Sequence, residues 1–170
     1  LTGVVDPGGN NLFPADYQAL FDVWRRGELT VRVAYSLNGQ TAGGELAELQ
    51  NLTALTPMGF GDDRLHFNGL GERITFAMNN NPEPTAEHKE RYYEIARWAA
   101  ERGMAITMHW GPDSTIEHLL GIFERAGQND FDQINVSGVP GGTNNQNGRF
   151  FFDNSRTGAP TTGLAIANAA

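Results

Sequence analysis

Apolar residues recur along this chain at two spacings, and the alternation between them predicts an alternation of helices and strands. Tyr17, Leu20, Phe21 and Trp24 follow Pro14 at i, i+3, i+4 and i+7, the stripe of an amphipathic helix that Gly27 stops. Asp16, Asp22, Arg25 and Arg26 make its polar face. A second helix is predicted from about Gly44 to Leu55 on Leu46, Leu49 and Leu52, ended before Pro57. The third begins after Pro84-Thr85, carries Tyr92, Ile95, Ala96 and Ala99 on one stripe and ends at Gly103. The fourth has Ile116, Leu119, Leu120 and Phe123 at helical spacing, and Ser114-Thr115-Ile116-Glu117 reads as a capping box that sets its start.

Strands are predicted between these helices. In Leu29–Leu37, Val31, Val33, Tyr35 and Leu37 alternate with polar or small residues; Arg73–Met78 and Met104–His109 are short apolar runs. Strand, helix, strand, helix with right-handed crossovers gives an α/β fold, a parallel sheet covered by helices. After Gln128 the pattern changes. Ser137–Gly148 is a turn-rich stretch with no burial pattern, Phe150-Phe151-Phe152 fits one short buried strand, and Thr157–Ala170 is dominated by small residues. The expected organisation is therefore a β/α domain over 1–127 and a loop-rich extension over 128–170 with at most one short strand. No fixed-period repeat is present.

Charge and composition narrow the classes of partner. Twenty acidic residues against twelve basic give a net charge of -8, which repels phosphate backbones and argues against nucleic acid. Lys89 is the only lysine, and no cluster of basic residues or long apolar run ties the chain to a membrane. Absence of cysteine excludes disulfides and thiolate metal sites. It leaves the compartment open, with the cytoplasm favoured. The Asn-x-Ser/Thr matches at Asn51 and Asn135 are too short a pattern to be read as glycosylation sites.

Among residues that carry chemistry, His109 stands out. It closes the apolar run Met104–His109 and is followed by Trp110-Gly111-Pro112-Asp113 and a helix. A histidine at the carboxyl lip of a parallel strand occupies the place where β/α barrels put catalytic and metal-binding groups. The alternative is a hydrogen-bonded histidine at a strand end. His66, His88 and His118 have no partner at His-x-His or His-x3-His spacing, and Asp6, before Pro7-Gly8, has the setting of a turn former. There is no Gly-x-Ser-x-Gly, phosphate loop or dinucleotide fingerprint.

Met104–Arg125 resembles the fifth strand and helix of the amidohydrolase family 3 type of metal-dependent hydrolase. Gly3-Val4-Val5-Asp6-Pro7-Gly8-Gly9 and Trp24–Tyr35 resemble its second strand, second helix and third strand. The likeness covers roughly 1–127, with an echo at Arg149–Asn154 taken as a sixth strand. It implies a partial TIM-barrel-like fold, since 170 residues fall short of the ~250 of a complete barrel. A start at Leu1 fits a segment of something longer.

The resemblance also implies a metal site: a His-x-His pair on the first strand, a bridging lysine or acid on the fourth, histidines on the fifth and sixth, and an aspartate on the eighth. Neutral imidazoles hold a divalent ion, zinc foremost, and the last carboxylate accepts a proton from water bound to it. On this chain the resemblance assigns His109 to the fifth-strand ligand. Glu72, in Gly71-Glu72-Arg73-Ile74-Thr75-Phe76, stands where the fourth strand would supply the bridge, unless it is a surface carboxylate paired with Arg73. The His-x-His pair and the final aspartate lie outside the likeness, and Asn154 stands where the sixth-strand histidine would be.

Two readings follow. In one, the chain is the central part of an amidohydrolase whose complete form hydrolyses C–N bonds of a small-molecule substrate, and it is not catalytic alone. In the other it is a non-catalytic assembly or binding module. Both leave sheet edges unpaired, so a homo-oligomer or the remainder of a barrel is the expected partner.

Overall fold

The computed structural model describes residues 2–8, 12–78, 81–110, 113–127, 133–138, 146–153 and 165–168. Its first three-quarters alternate strand and helix. Strand β1 (Gly3–Asp6) is followed by a single 3-10 turn (Pro14–Tyr17) running into α1 (Gln18–Arg25), then β2 (Arg32–Leu37) and α2 (Glu45–Leu52). Strand β3 (Leu65–Leu70), α3 (Ala86–Glu101), β4 (Ile106–Trp110) and α4 (Asp113–Gly127) complete the series. β1 to β4 are neighbours in chain order and all parallel, pairing Val4 with Val33, Val33 with Leu65, and Leu70 with Ile106. This is the α/β, partial-barrel arrangement expected. No helix among the described residues is long and apolar enough to cross a membrane.

The helices form where the stripes predict them. Thr85 caps α3: its hydroxyl accepts from the His88 amide at 3.2 Å, and its own amide donates to His88 Nδ1 at 3.4 Å. The stop comes at Gly103, whose φ of +63° few other residues adopt without strain. The buried stripe of α3 meets α4 through Tyr92 and Phe123, whose rings stand edge to face with centroids 5.5 Å apart. Helix α4 begins at Asp113, so Ser114 lies in its first turn rather than at the cap.

Two expectations need correction. The third strand is Leu65–Leu70, and Arg73–Met78 is not a strand at all. Asn68-Gly69 looks like a turn dipeptide, yet Gly69 lies within the strand at φ +99°. A Cβ there would clash with the Ala105 carbonyl oxygen, so only glycine permits the chain entering β4 to approach. Residues Ile74, Thr75 and Met78 are fully buried, as an apolar run should be. Their segment is held by a side chain instead of a ladder: Glu45 Oε1 accepts from the Phe76 amide at 3.0 Å and from the Thr75 hydroxyl at 3.2 Å.

The second correction concerns the far side of β4. Among the described residues of 128–170 stand three strands, β5 (Gln133–Gly138), β6 (Gln146–Asp153) and β7 (Ala165–Asn168), where at most one short strand was expected. The turn-rich stretch 137–148 contributes its ends to β5 and β6, and its centre lies outside the described residues. The Phe150–Phe152 run is in β6 as anticipated. However, β6 pairs with β4 antiparallel, placing Phe150 opposite Ile106 and Asn147 opposite His109. A sixth barrel strand would be parallel. Asp153 consequently lies toward the amino end of β4, away from the edge that carries His109, and Asn154 is outside the described residues.

Candidate functional site

The carboxyl ends of β1, β2 and β3 are sewn together by main-chain bonds and one side chain. Asn38, just past β2 and 2% exposed, donates from Nδ2 to the Gly8 carbonyl and accepts at Oδ1 from the Arg73 amide at 3.0 Å. The chain leaving β3 bends across the end of β2. Gly71 N donates to Leu37 O at 2.7 Å, Glu72 N to Pro7 O at 2.8 Å, and Gly39 N to Arg73 O at 3.1 Å. This crossing requires glycine at 71, because a Cβ there would meet Asn38 Oδ1 and lie 2.5 Å from Pro7 O. At the end of β1, Asp6 Oδ1 accepts from Gly8 N at 2.9 Å, which makes it the turn former that Asp-Pro-Gly suggests.

Two ionisable groups near this edge are displaced from their ordinary behaviour. Tyr17, 6% exposed, donates its hydroxyl proton to Ser36 O at 2.9 Å. Burial, reinforced by the Asp6 carboxylate, pushes its ionisation far above the usual tyrosine range. Arg73 is 8% exposed, donates from Nη2 to Gln40 Oε1 at 2.8 Å and stacks 4.1 Å above the Phe76 ring centroid. Burial lowers its pKa, opposed by the charges of Glu45, Glu48 and Glu72. Gln40 continues the network, donating from Nε2 to Leu12 O at 2.7 Å.

Of the two metal-ligand candidates, Glu72 falls just beyond β3 rather than on a strand, half-buried, with its main chain tied to Pro7 at the end of β1. His109 is the penultimate residue of β4, at the carboxyl end as expected; its side chain lies outside the description. Among the described residues no three His, Cys, Asp or Glu side chains converge to hold a metal ion. Those residues therefore do not by themselves form a complete centre. His66 lies within β3, His88 caps α3, and His118 is half-buried on α4.

Periodicity gave no notice of Asn38, Glu45 or Arg73. A lone polar residue after a strand has no spacing signature, although Asn38-Gly39 and Gly71 mark the bends where such a residue is needed. Beside this edge, between the β2–α2 loop and the start of α3, opens a cavity of about 440 Å³. Its walls include Glu45, Phe76, Asn81, His88 and Arg91.

No curated protein and no solved structure gives a significant match to the chain. A family model does, over residues 1–151, which takes in all four parallel strands, their helices and most of β6. That span reaches well beyond the single histidine motif, and the parallel β/α order within it is the architecture the resemblance implied. The chain belongs to the amidohydrolase family, whose members are metal-dependent hydrolases.

Proposed function

We propose that this chain is a segment of an amidohydrolase-like protein whose complete fold hydrolyses C–N bonds in a small-molecule substrate with metal-activated water. The supporting observation is the position of His109 at the carboxyl end of the fourth parallel strand, immediately before α4. His109 would be a ligand to a divalent ion, zinc foremost, and Glu72 a second acidic ligand on the same edge. In the isolated chain the reading is no catalysis, because a catalytic zinc ordinarily takes three protein ligands.

Metal analysis of the purified chain after desalting tests this directly. The expectation is no retained stoichiometric zinc and no hydrolysis, with His109→Ala changing only local stability, by about 1 kcal/mol for a lost hydrogen bond. Stoichiometric zinc that the His109→Ala change removes would refute the inactive-segment reading and make the chain a metal centre in its own right.

A second reading, a non-catalytic assembly or binding module derived from the barrel, is favoured by one observation. Antiparallel β6 occupies the side of β4 where a parallel sixth strand would bring the next ligand. The two readings part on what restores activity. Supplying the remaining barrel segments in trans should yield metal-dependent hydrolysis under the first and none under the second.

A further inference from the structure

The cavity between the β2–α2 loop and the start of α3 belongs to neither the strand ends nor the proposed metal ligands, and its walls carry opposite charges. On one side is Glu45, only 3% exposed yet part of the lining. Its Oε1 is committed to the Phe76 amide and the Thr75 hydroxyl, whereas among the described residues no donor reaches Oε2. Oε2 is therefore the carboxylate atom that remains for an occupant of the cavity.

Facing charge comes from α3. Arg91 gives Nη2 to Glu87 at 2.7 Å, while its Nη1 lies 3.6 Å from where a side chain on Gly43 would begin, over a bend that presents no Cβ. His88 adds a donor of fixed direction. Its Nδ1 lies 3.4 Å from the Thr85 amide, which can only donate, and 3.3 Å from Asn81 Nδ2, so the neutral ring carries its proton on Nε2. Between the charged walls, Ala42, Ala77 and the 39% exposed ring of Phe76 offer apolar surface. A volume of about 440 Å³ is within the range of small-ligand sites.

We propose that this cavity binds a free amino acid as its zwitterion. The ammonium pairs with Glu45 Oε2, the carboxylate takes the Arg91 guanidinium and His88 Nε2–H, and an apolar side chain lies against Phe76. Either ionic group alone would engage only one of the two charged walls. The assignment does not depend on the hydrolase reading.

Isothermal titration of the full chain with L-leucine, L-leucinamide and N-acetyl-L-leucine tests it. Leucine should bind saturably, and leucinamide, lacking the carboxylate, and N-acetyl-leucine, lacking the ammonium, should each bind at least roughly tenfold more weakly. Glu45→Gln keeps an acceptor for Phe76 N and Thr75 and replaces the free oxygen by a donor; it should weaken leucine and leucinamide together. Arg91→Gln, at an exposed position, should weaken leucine and leave leucinamide unchanged, and it decides the matter alone if Glu45→Gln does not fold. Absence of saturable leucine binding, leucinamide binding as tightly as leucine, or indifference of leucine binding to Arg91→Gln overturns the proposal.

Discussion

Replacing Asn38 by alanine removes a side chain that joins the ends of three strands. Two buried main-chain groups lose their partner, the Arg73 amide, held at 3.0 Å, and the Gly8 carbonyl. A buried polar group left unsatisfied costs about 1–3 kcal/mol, so the pair predicts a loss of about 2–6 kcal/mol, reduced where water enters from the edge. A value near 3 kcal/mol is a large part of the 5–15 kcal/mol that holds a typical domain together. With a urea slope of about 2 kcal/mol/M it lowers the midpoint by roughly 1.5 M. Asn38→Asp should also destabilise, since it keeps the acceptor for Arg73 N but sets oxygen against the Gly8 carbonyl. Gly71→Ala supplies an internal check: its new Cβ would press on Asn38 Oδ1 and on Pro7 O, so its cost should shrink when Asn38 is already alanine. Urea unfolding followed by tryptophan fluorescence for both single variants and the double measures the coupling. An Asn38→Ala loss below about 1 kcal/mol, or strictly additive variants, would refute the claim that this side chain sews the edge.

Stability should fall at alkaline pH. Burial raises the ionisation of Tyr17, Tyr35 and Tyr92 above the ordinary value, so their contribution is complete below the unfolded value near 10 and is lost as pH climbs toward the folded ones. The slope reaches about 1.4 kcal/mol per pH unit for each tyrosine, and a urea midpoint that stays flat from about pH 10 to 11 contradicts it. In acid, Asp62 is held below the usual carboxylate range by donation from the Leu65 amide, the Trp24 indole and the Arg64 amide. Its contribution is present above the unfolded value and disappears as pH falls through the folded one. Trp24 fluorescence should therefore report a transition below the normal aspartate range that Asp62→Asn abolishes. Sedimentation of the chain should show self-association or a bound partner, and a stable monomer over a wide concentration range would count against the open-edge reading.

Much of the β/α series was legible because burial imposes spacing. The stripe from Tyr92 to Ala99 and the Thr85 cap fix α3 nearly to the residue, and the run ending at His109 does the same for β4. β3 was hidden by Asn68-Gly69, since a glycine that admits a neighbouring backbone resembles one that makes a turn. Arg73–Met78 misled for the converse reason. Burial shows in the sequence, but whether a buried backbone finds a strand or a carboxylate such as Glu45 does not. Glu72, expected on a fourth strand, therefore falls just beyond the end of Leu65–Leu70 instead. The direction of β6 was not legible either, because Phe150-Phe151-Phe152 buries equally well in a parallel or an antiparallel ladder.

The edge geometry also limits how a larger site could be assembled. A parallel strand can join a sheet only where a ladder is open, and β4 is already paired on both sides, by β3 and by β6. Among the described residues, the open ladder adjoining the parallel set is that of β1, which pairs with β2 alone. Its residues Val4 and Val5 are 37% and 51% exposed, and no charged side chain interrupts the strand before Asp6. Natural edges are commonly guarded by charge, proline or a bulge, and the three residues Gly3 to Val5 without any of these are a template for pairing. A parallel partner added there would end beside Asp6 and Pro7, and Glu72 is drawn to that point by its bond to Pro7. The stitched ends of β1, β2 and β3 would therefore meet a strand added at this edge already in place, and His109, on β4, stands at the other side of the parallel set.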